Sequence, residues 1–190
     1  MIKFAIVGNI ASGKSTVEKF LKELGFNVLD TDRVCHELLV ISNDVSEAFK
    51  DYDVFKDGEI SRDKLGRLVF NNPELKLKLE DILYPKVRVK IEEFFKQNQD
   101  EKFAFVAIPL LFEAEMQDLF DKILFVYCDD DIRLNRLIAR SGYSKDYAKL
   151  RMDSQMSQEQ KIVKSDYVIF NNSTFDELNT QLVSLIEQIR

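Results

Sequence analysis

Gly8-Asn9-Ile10-Ala11-Ser12-Gly13-Lys14-Ser15 fits the pattern G-x-x-x-x-G-K-S/T, directly after an apolar run and directly before a segment with helical periodicity. Glycines let such a loop turn successive backbone N–H groups inward, and the helix N-terminus adds a partial positive charge, so the loop suits a polyphosphate. Lys14 then reaches the β- and γ-phosphates, while the Ser15 hydroxyl is the expected Mg²⁺ ligand. The nucleotide-binding set is Asn9, Ile10, Ala11, Ser12, Gly13, Lys14, Ser15 and Thr16, with ATP and Mg²⁺ as the implied phosphate donor and metal. A glycine turn that merely joins strand to helix is the bland alternative.

A phosphoryl group needs an acceptor, and carboxylates and arginines are placed to serve one. Asp30-Thr31-Asp32 follows the second apolar run. If the segment is extended, residues two apart share a face, and both acids point into one cleft. Asp32 is the expected general base for the attacking hydroxyl and Asp30 a supporting carboxylate or water-mediated Mg²⁺ ligand, in an assignment that can be reversed. Alternatively one of them caps the helix beginning near Arg33. Glu113 closes the lip Pro109-Leu110-Leu111-Phe112-Glu113, where it either meets substrate or metal, or starts a helix whose N-terminus favours an acid. Arg133, Arg136 and Arg140 recur at spacings of three and four, on one helical face. They either neutralise the transferring group from a covering segment that bends at Ser141-Gly142, or form a solvated face paired with Asp129–Asp131. His36 is the single histidine and is assigned no chemistry.

Five short runs rich in β-branched and aromatic residues predict the strands that position these groups: Ile2–Val7, Phe26–Leu29, Phe103–Ile108, Lys122–Tyr127 and Tyr167–Phe170. Helical segments lie between them. The first carries Val17, Phe20, Leu21 and Leu24 and stops at Gly25; the last opens with Ser173-Thr174 and Glu177, a capping-box signature. From Arg33 to Gln99 no strand is evident, and helices are expected from Asn72-Pro73 and again past Pro85. The fold class is α/β: a parallel five-stranded sheet with helices on both faces, a helical insertion and a lid. Ligands of such sheets bind at the strands' carboxyl ends, where the residues above fall. The expected division is a core of about 1–32, 101–130 and 160–190, an insertion of about 33–100 for substrate, and a lid of about 131–159.

The 190 residues are 45% hydrophobic and 32% charged with only 6 Gly and 3 Pro, which excludes collagen-like and wholly disordered chains. A net charge of −6 gives no global field for a nucleic-acid backbone or an anionic membrane. Cys35 and Cys128 are too few for a disulfide framework, and both read as buried thiols of a reducing compartment. The longest uncharged apolar run, Phe103–Phe112, is half what a spanning helix needs, about twenty residues. The expectation is a cytoplasmic protein, a monomer or weak oligomer, without nucleic-acid or membrane partners.

Taken in order, these residues resemble the dephospho-coenzyme A kinases, P-loop kinases of the last step of coenzyme A synthesis. The likeness covers nearly the whole chain: Lys14-Ser15-Thr16, Asp30-Thr31-Asp32, Arg62 with Leu65–Phe70, Tyr84-Pro85 with Arg88, Pro109–Glu113, Arg136 and Arg140, Ser154-Gln155, and Asp166–Asn171. It implies a P-loop nucleotide kinase fold and ATP-dependent phosphorylation of the ribose 3′-hydroxyl of dephospho-coenzyme A. It also implies Asp32 as base, Arg140 in catalysis and Arg136 on the nucleotide, with substrate contacts from Asp30, Asp32, Arg62, Arg88, Leu111 and Glu113. The Asn171-Asn172 turn is an adenine-pocket candidate by position and resemblance. Val7, Asn9, Ala11, Tyr84 and Lys161 stand where the family commonly has Thr, Gly, Gly, His and Arg. Lys161 keeps the charge of arginine but loses its planar fork.

Two other readings compete. Another small-molecule P-loop kinase would share the phosphate machinery and differ in acceptor. A nucleotide-dependent switch would need a guanine-reading Asn-Lys-x-Asp motif, which the chain lacks; Asp63-Lys64-Leu65-Gly66 matches D-x-x-G but follows no clear strand.

Overall fold

In the computed structural model, which describes residues 1–189, the chain divides into two compact units, Met1–Leu29 with the residues from Gln97 onward, and Asp30–Lys96. The first unit is built on a five-stranded sheet in the order β2-β5-β1-β6-β7, from β1 (Ile2–Val7), β2 (Val28–Asp30), β5 (Phe103–Ala107), β6 (Lys122–Tyr127) and β7 (Tyr167–Phe170). β1 pairs in parallel with β5 and β6, and β6 with β7. Register decides which side chains meet the helices. Phe4, Ile6, Phe103, Phe105, Leu124, Val126 and Ile169 form one core with Val17 and Leu21 of α1 (Lys14–Glu23) and Leu178, Leu182 and Ile186 of α9 (Phe175–Ile189). The alternate set, Ala5, Val7, Ala104, Val106 and Phe125, is equally buried, so both faces of the sheet are covered, as near-continuous apolar strands require.

The punctuation of α1 and α9 follows the signals in the sequence. α1 ends in a Schellman arrangement: Gly25 takes φ 87, its N–H donates to Lys22 O, and Phe26 N–H donates to Leu21 O. At the start of α9 the Thr174 hydroxyl accepts from Glu177 N, 3.3 Å, and Ser173 Oγ donates to the Glu177 carboxylate. α6 (Asp130–Ser141), α7 (Lys145–Asp153) and α8 (Gln158–Ile162) fill the interval between β6 and β7.

The second unit holds α2 (Thr31–Ile41), α3 (Asn43–Ala48), α4 (Arg62–Phe70) and α5 (Pro73–Gln97), whose last residue crosses into the first unit. It departs from the sequence reading in two places. A short antiparallel hairpin, β3 (Phe55–Lys56) with β4 (Glu59–Ile60), lies where no strand was expected. Its turn is Asp57-Gly58, both at positive φ (53 and 85), the pair that a type I′ turn demands. The second departure is α5, one helix of 25 residues that runs through Pro85 instead of restarting after it. Proline removes one backbone donor, and the turns on either side continue the helix regardless.

Candidate nucleotide-binding site

The loop between β1 and α1 lies at the carboxyl end of a central strand. Two residues give it its curvature: Ala11 at φ 62 and Gly13 at φ 97, the N-cap of α1. Glycine adopts that region freely, whereas alanine pays roughly 1–2 kcal/mol for it. Gly13 is required on steric grounds as well, since a Cβ there would lie 2.0 Å from Asn171 Nδ2. Ser15 is exposed at the first turn of α1 and Lys14 is half-buried beside it.

Side chains from elsewhere in the same unit grip the loop. Asn9 is buried and its Nδ2 donates to Met156 O, 2.9 Å. Ile10 N donates to Gln155 Oε1, 2.8 Å, and Arg133 Nε donates to Ile10 O, 3.0 Å. Asn171 Nδ2 donates to Ser12 O, 2.8 Å. The Asn9 amide oxygen and the Ser12 hydroxyl are buried with no hydrogen-bond partner among the described residues.

The three arginines of α6 separate by role. Arg133, 2% exposed, donates from Nε to Ile10 O and pairs through Nη1 with Asp130 Oδ1 at 2.6 Å, while its buried Nη2 has no hydrogen-bond partner among the described residues, so it is held against the loop and is not part of an open basic face. Arg136 donates to Cys128 Sγ at 3.3 Å, and Arg140 is exposed in the last turn before Gly142, which caps α6 at φ 66. Burial pushes the Cys128 thiol up in pKa, against the pull of Arg136 and Arg133. Gln158 fixes the same corner, its Nε2 donating to Cys128 O and Asp130 Oδ1, both at 2.9 Å.

The lip after β5 is a series of turns, not the helix start weighed for Glu113; Met116 N closes on Leu111 O at 3.1 Å. Leu111, an expected substrate contact, is fully buried. Glu113 Oε1 pairs with Lys161 Nζ at 2.8 Å and accepts from Met156 N at 3.2 Å, so this oxygen is engaged within the protein. Lys161, left out of the expected site, is fully buried and also donates to Pro109 O at 3.3 Å.

In the second unit the acidic pair is not extended. Asp30 caps α2, its Oδ1 accepting from Asp32 N at 3.0 Å, while Asp32 lies exposed in the first helical turn. The capping alternative therefore holds for Asp30, and the shared-face argument does not apply. Arg62 starts α4, exposed, with its guanidinium against His36 Nε2; Arg88 is half-buried on α5. Burial, and then the Arg62 charge, lower the His36 pKa. Cys35 is half-buried, not fully buried as expected, and burial followed by the charges of Asp32 and Asp30 raises its pKa to about 11. Asp63 and Gly66 lie inside α4, so their D-x-x-G match is helical and not a switch loop.

A sequence model of the Dephospho-CoA kinase family matches residues 2–177. The chain belongs to that family. Curated relatives agree: the dephospho-CoA kinase of Geobacillus kaustophilus is 38% identical over 98% of this chain and 96% of its own length, and that of Carboxydothermus hydrogenoformans 37% over 96% and 92%. Among solved structures, TT1252 from Thermus thermophilus superposes with a TM-score of 0.86 at 31% identity, covering 100% of this chain and 98% of its own. The dephospho-CoA kinase of Campylobacter jejuni gives 0.75 at 32%, over 98% and 96%. A shikimate kinase from Bacteroides thetaiotaomicron, 15% identical with a TM-score of 0.56, shares the fold alone. This dephospho-CoA kinase family member is thus a nucleotide-using transferase by family, and no helix among its described residues is long and apolar enough to cross a membrane.

Proposed function

We propose that the chain transfers the γ-phosphoryl group of ATP to the ribose 3′-hydroxyl of dephospho-coenzyme A, giving coenzyme A and ADP. The observation that carries this is a phosphate loop with left-handed Ala11 and Gly13 and with Lys14-Ser15 at the start of α1, in a chain that matches the family over residues 2–177. In this reading amides of the loop hold the polyphosphate and Lys14 stabilises charge on the β- and γ-phosphates. Arg136 and Arg140 add charge to the nucleotide, and Asp32 accepts the proton of the attacking hydroxyl. The oxygen–phosphorus bond forms as the bond to the β-phosphate bridging oxygen breaks, and ADP leaves with the electron pair. Arg62, Arg88 and the insertion of about 33–100 bind the acceptor, and the segment of about 131–159 acts as lid.

The residues present fit a metal that arrives with the nucleotide. Among the described residues no cluster of three His, Cys, Asp or Glu could hold one, whereas the exposed Ser15 hydroxyl at the loop's end can complete a phosphate-bound ion's shell. Ser15 would hold Mg²⁺ there, and the ion, when bound, would supply charge neutralisation at the transferring group.

The test is a coupled ATP assay comparing dephospho-coenzyme A with shikimate, gluconate, uridine and nucleoside monophosphates. Turnover with the first and background with the others is expected. Background with dephospho-coenzyme A would refute the acceptor.

A further inference from the structure

The peptide units of the phosphate loop alternate in what holds them. The Asn9–Ile10 unit is spent within the protein on both sides: Asn9 O accepts from Ser12 N at 3.0 Å, and Ile10 N donates to Gln155 Oε1 at 2.8 Å. In the next unit only the carbonyl is bonded, Ile10 O accepting from Arg133 Nε at 3.0 Å. Ser12–Gly13 repeats that pattern, with Ser12 O accepting from Asn171 Nδ2 at 2.8 Å. Among the described residues no acceptor is bonded to the Ala11 or Gly13 amide.

A trans peptide points its N–H opposite to its C=O. A side chain that fixes the carbonyl on the outer side therefore fixes the amide's direction on the inner side. Arg133 comes from α6 and Asn171 from the end of β7, so two separate elements aim two amides of one loop. Both are well placed to do so rigidly: Arg133 is 2% and Asn171 7% exposed, and Arg133 is itself held by Asp130 at 2.6 Å. Met156, next to Gln155, is held in turn by Glu113, its N–H donating to the carboxylate at 3.2 Å. The strained φ of 62 at Ala11 lies between the two gripped carbonyls, where an unsupported alanine would relax.

We propose that Arg133 and Asn171 are positioning residues for the polyphosphate, each holding a loop carbonyl outward so that the Ala11 and Gly13 amides face the ligand. In this role neither needs to touch a phosphate. The role of Arg133 is geometric, unlike that of an arginine whose charge neutralises the transferring group. The steric demand at Gly13 follows from the same device, because the Asn171 amide occupies the space a Cβ would need. The proposal rests on nucleotide use by this chain, as set out above, but not on the identity of the acceptor.

The test is calorimetric titration of the full chain with inorganic tripolyphosphate, with MgATP and with adenosine, for Arg133→Met and Asn171→Ala. Asp130 is largely exposed, so losing Arg133 strands no buried charge; Asn171 is neutral, so any effect there is not a charge effect. Each variant is expected to bind tripolyphosphate and MgATP roughly tenfold more weakly, the cost of misaiming an amide hydrogen bond to a charged group. Adenosine affinity stays within about twofold of the unsubstituted chain, since the sugar and base do not use these amides. Unchanged tripolyphosphate affinity in a folded variant would overturn the proposal, and so would an equal loss for adenosine, which marks a general collapse of the site. If one variant fails to fold, the other decides alone. An unsubstituted chain that binds MgATP but does not phosphorylate dephospho-coenzyme A refutes the acceptor and leaves this inference standing; one that binds no nucleotide overturns both.

Discussion

Lys161 is fully buried and places its ammonium 2.8 Å from Glu113 Oε1, tying the turn after β5 to helix α8. The same oxygen accepts from Met156 N, next to the residue that holds Ile10. This pair, a fully buried lysine with a half-buried glutamate, thus fixes both the lip and the loop that grips the phosphate-binding segment. Glu113, which reads in the sequence either as a contact to substrate or metal or as a helix start, anchors the lip through Oε1.

Breaking that pair strands a buried charge. Glu113→Ala is expected to destabilise the protein by about 2 kcal/mol, because the buried Lys161 ammonium loses its carboxylate, the partial exposure of Glu113 keeping the cost below that of a fully buried pair. Replacing both, Lys161→Met with Glu113→Gln, recovers most of the loss, since two neutral groups of similar volume need no ion partner. Urea unfolding of the single and double variants measures the difference; equal stability of all the variants contradicts the pairing.

Asp30 and Asp32 separate cleanly by substitution. Asp30→Ala removes the cap of α2 and should cost about 1 kcal/mol, whereas Asp30→Asn retains a capping oxygen and costs little. Asp32→Asn, by contrast, should lower turnover by roughly 10²-fold or more with little change in ATP affinity, the signature of a lost general base. Steady-state kinetics beside thermal unfolding distinguishes the two. A large kinetic loss at Asp30→Asn with none at Asp32→Asn reverses the assignment.

His36 is the only histidine, so its ring protons report one titration. Its folded pKa is lowered, first by burial and then by the Arg62 guanidinium against its ring. A base whose folded pKa lies below its unfolded value binds fewer protons when folded. Its contribution to stability is therefore complete above the unfolded pKa of about 6.5 and declines as pH falls from there through the folded value. Proton NMR is expected to give a midpoint below 6.5 that rises in Arg62→Gln. A midpoint at or above 6.5 in the unsubstituted chain removes the effect.

Much of this was legible because the signals were local. Short, near-continuous apolar runs placed the sheet, Gly25 and Ser173-Thr174 marked helix ends, and Gly8–Ser15 marked the phosphate loop by spacing alone. The Asp57-Gly58 hairpin carried a turn signal as well, but its two-residue strands are too short for periodicity to show. What stayed hidden depends on distant partners. Nothing near Asn171 in sequence says that it bonds a carbonyl 159 residues away, and it reads equally well as an adenine contact. Arg133 shares a helical face with Arg136, yet only the fold shows it turned onto Ile10 O. For Lys161 the sequence gives a charge, and charges are seldom fully buried without a partner that only tertiary structure supplies.

Gly13 concentrates these constraints. Its φ of 97 lies where an L side chain is strained, and a Cβ would fall 2.0 Å from Asn171 Nδ2, well inside any real contact. Gly13→Ala must therefore either displace Asn171 from Ser12 O or rotate the peptide whose amide faces the polyphosphate. Both outcomes spoil the anion cradle while leaving the sheet and its core untouched. The variant is expected to fold, with stability lower by roughly 1–3 kcal/mol from backbone strain, and to lose measurable MgATP binding in titration. Asn171→Ala in the same chain removes the clash but not the strain at φ 97, so it should recover part of the stability and little of the nucleotide affinity. Full recovery of affinity in that double variant would show that the obstruction alone mattered and that the outward hold on Ser12 O did not.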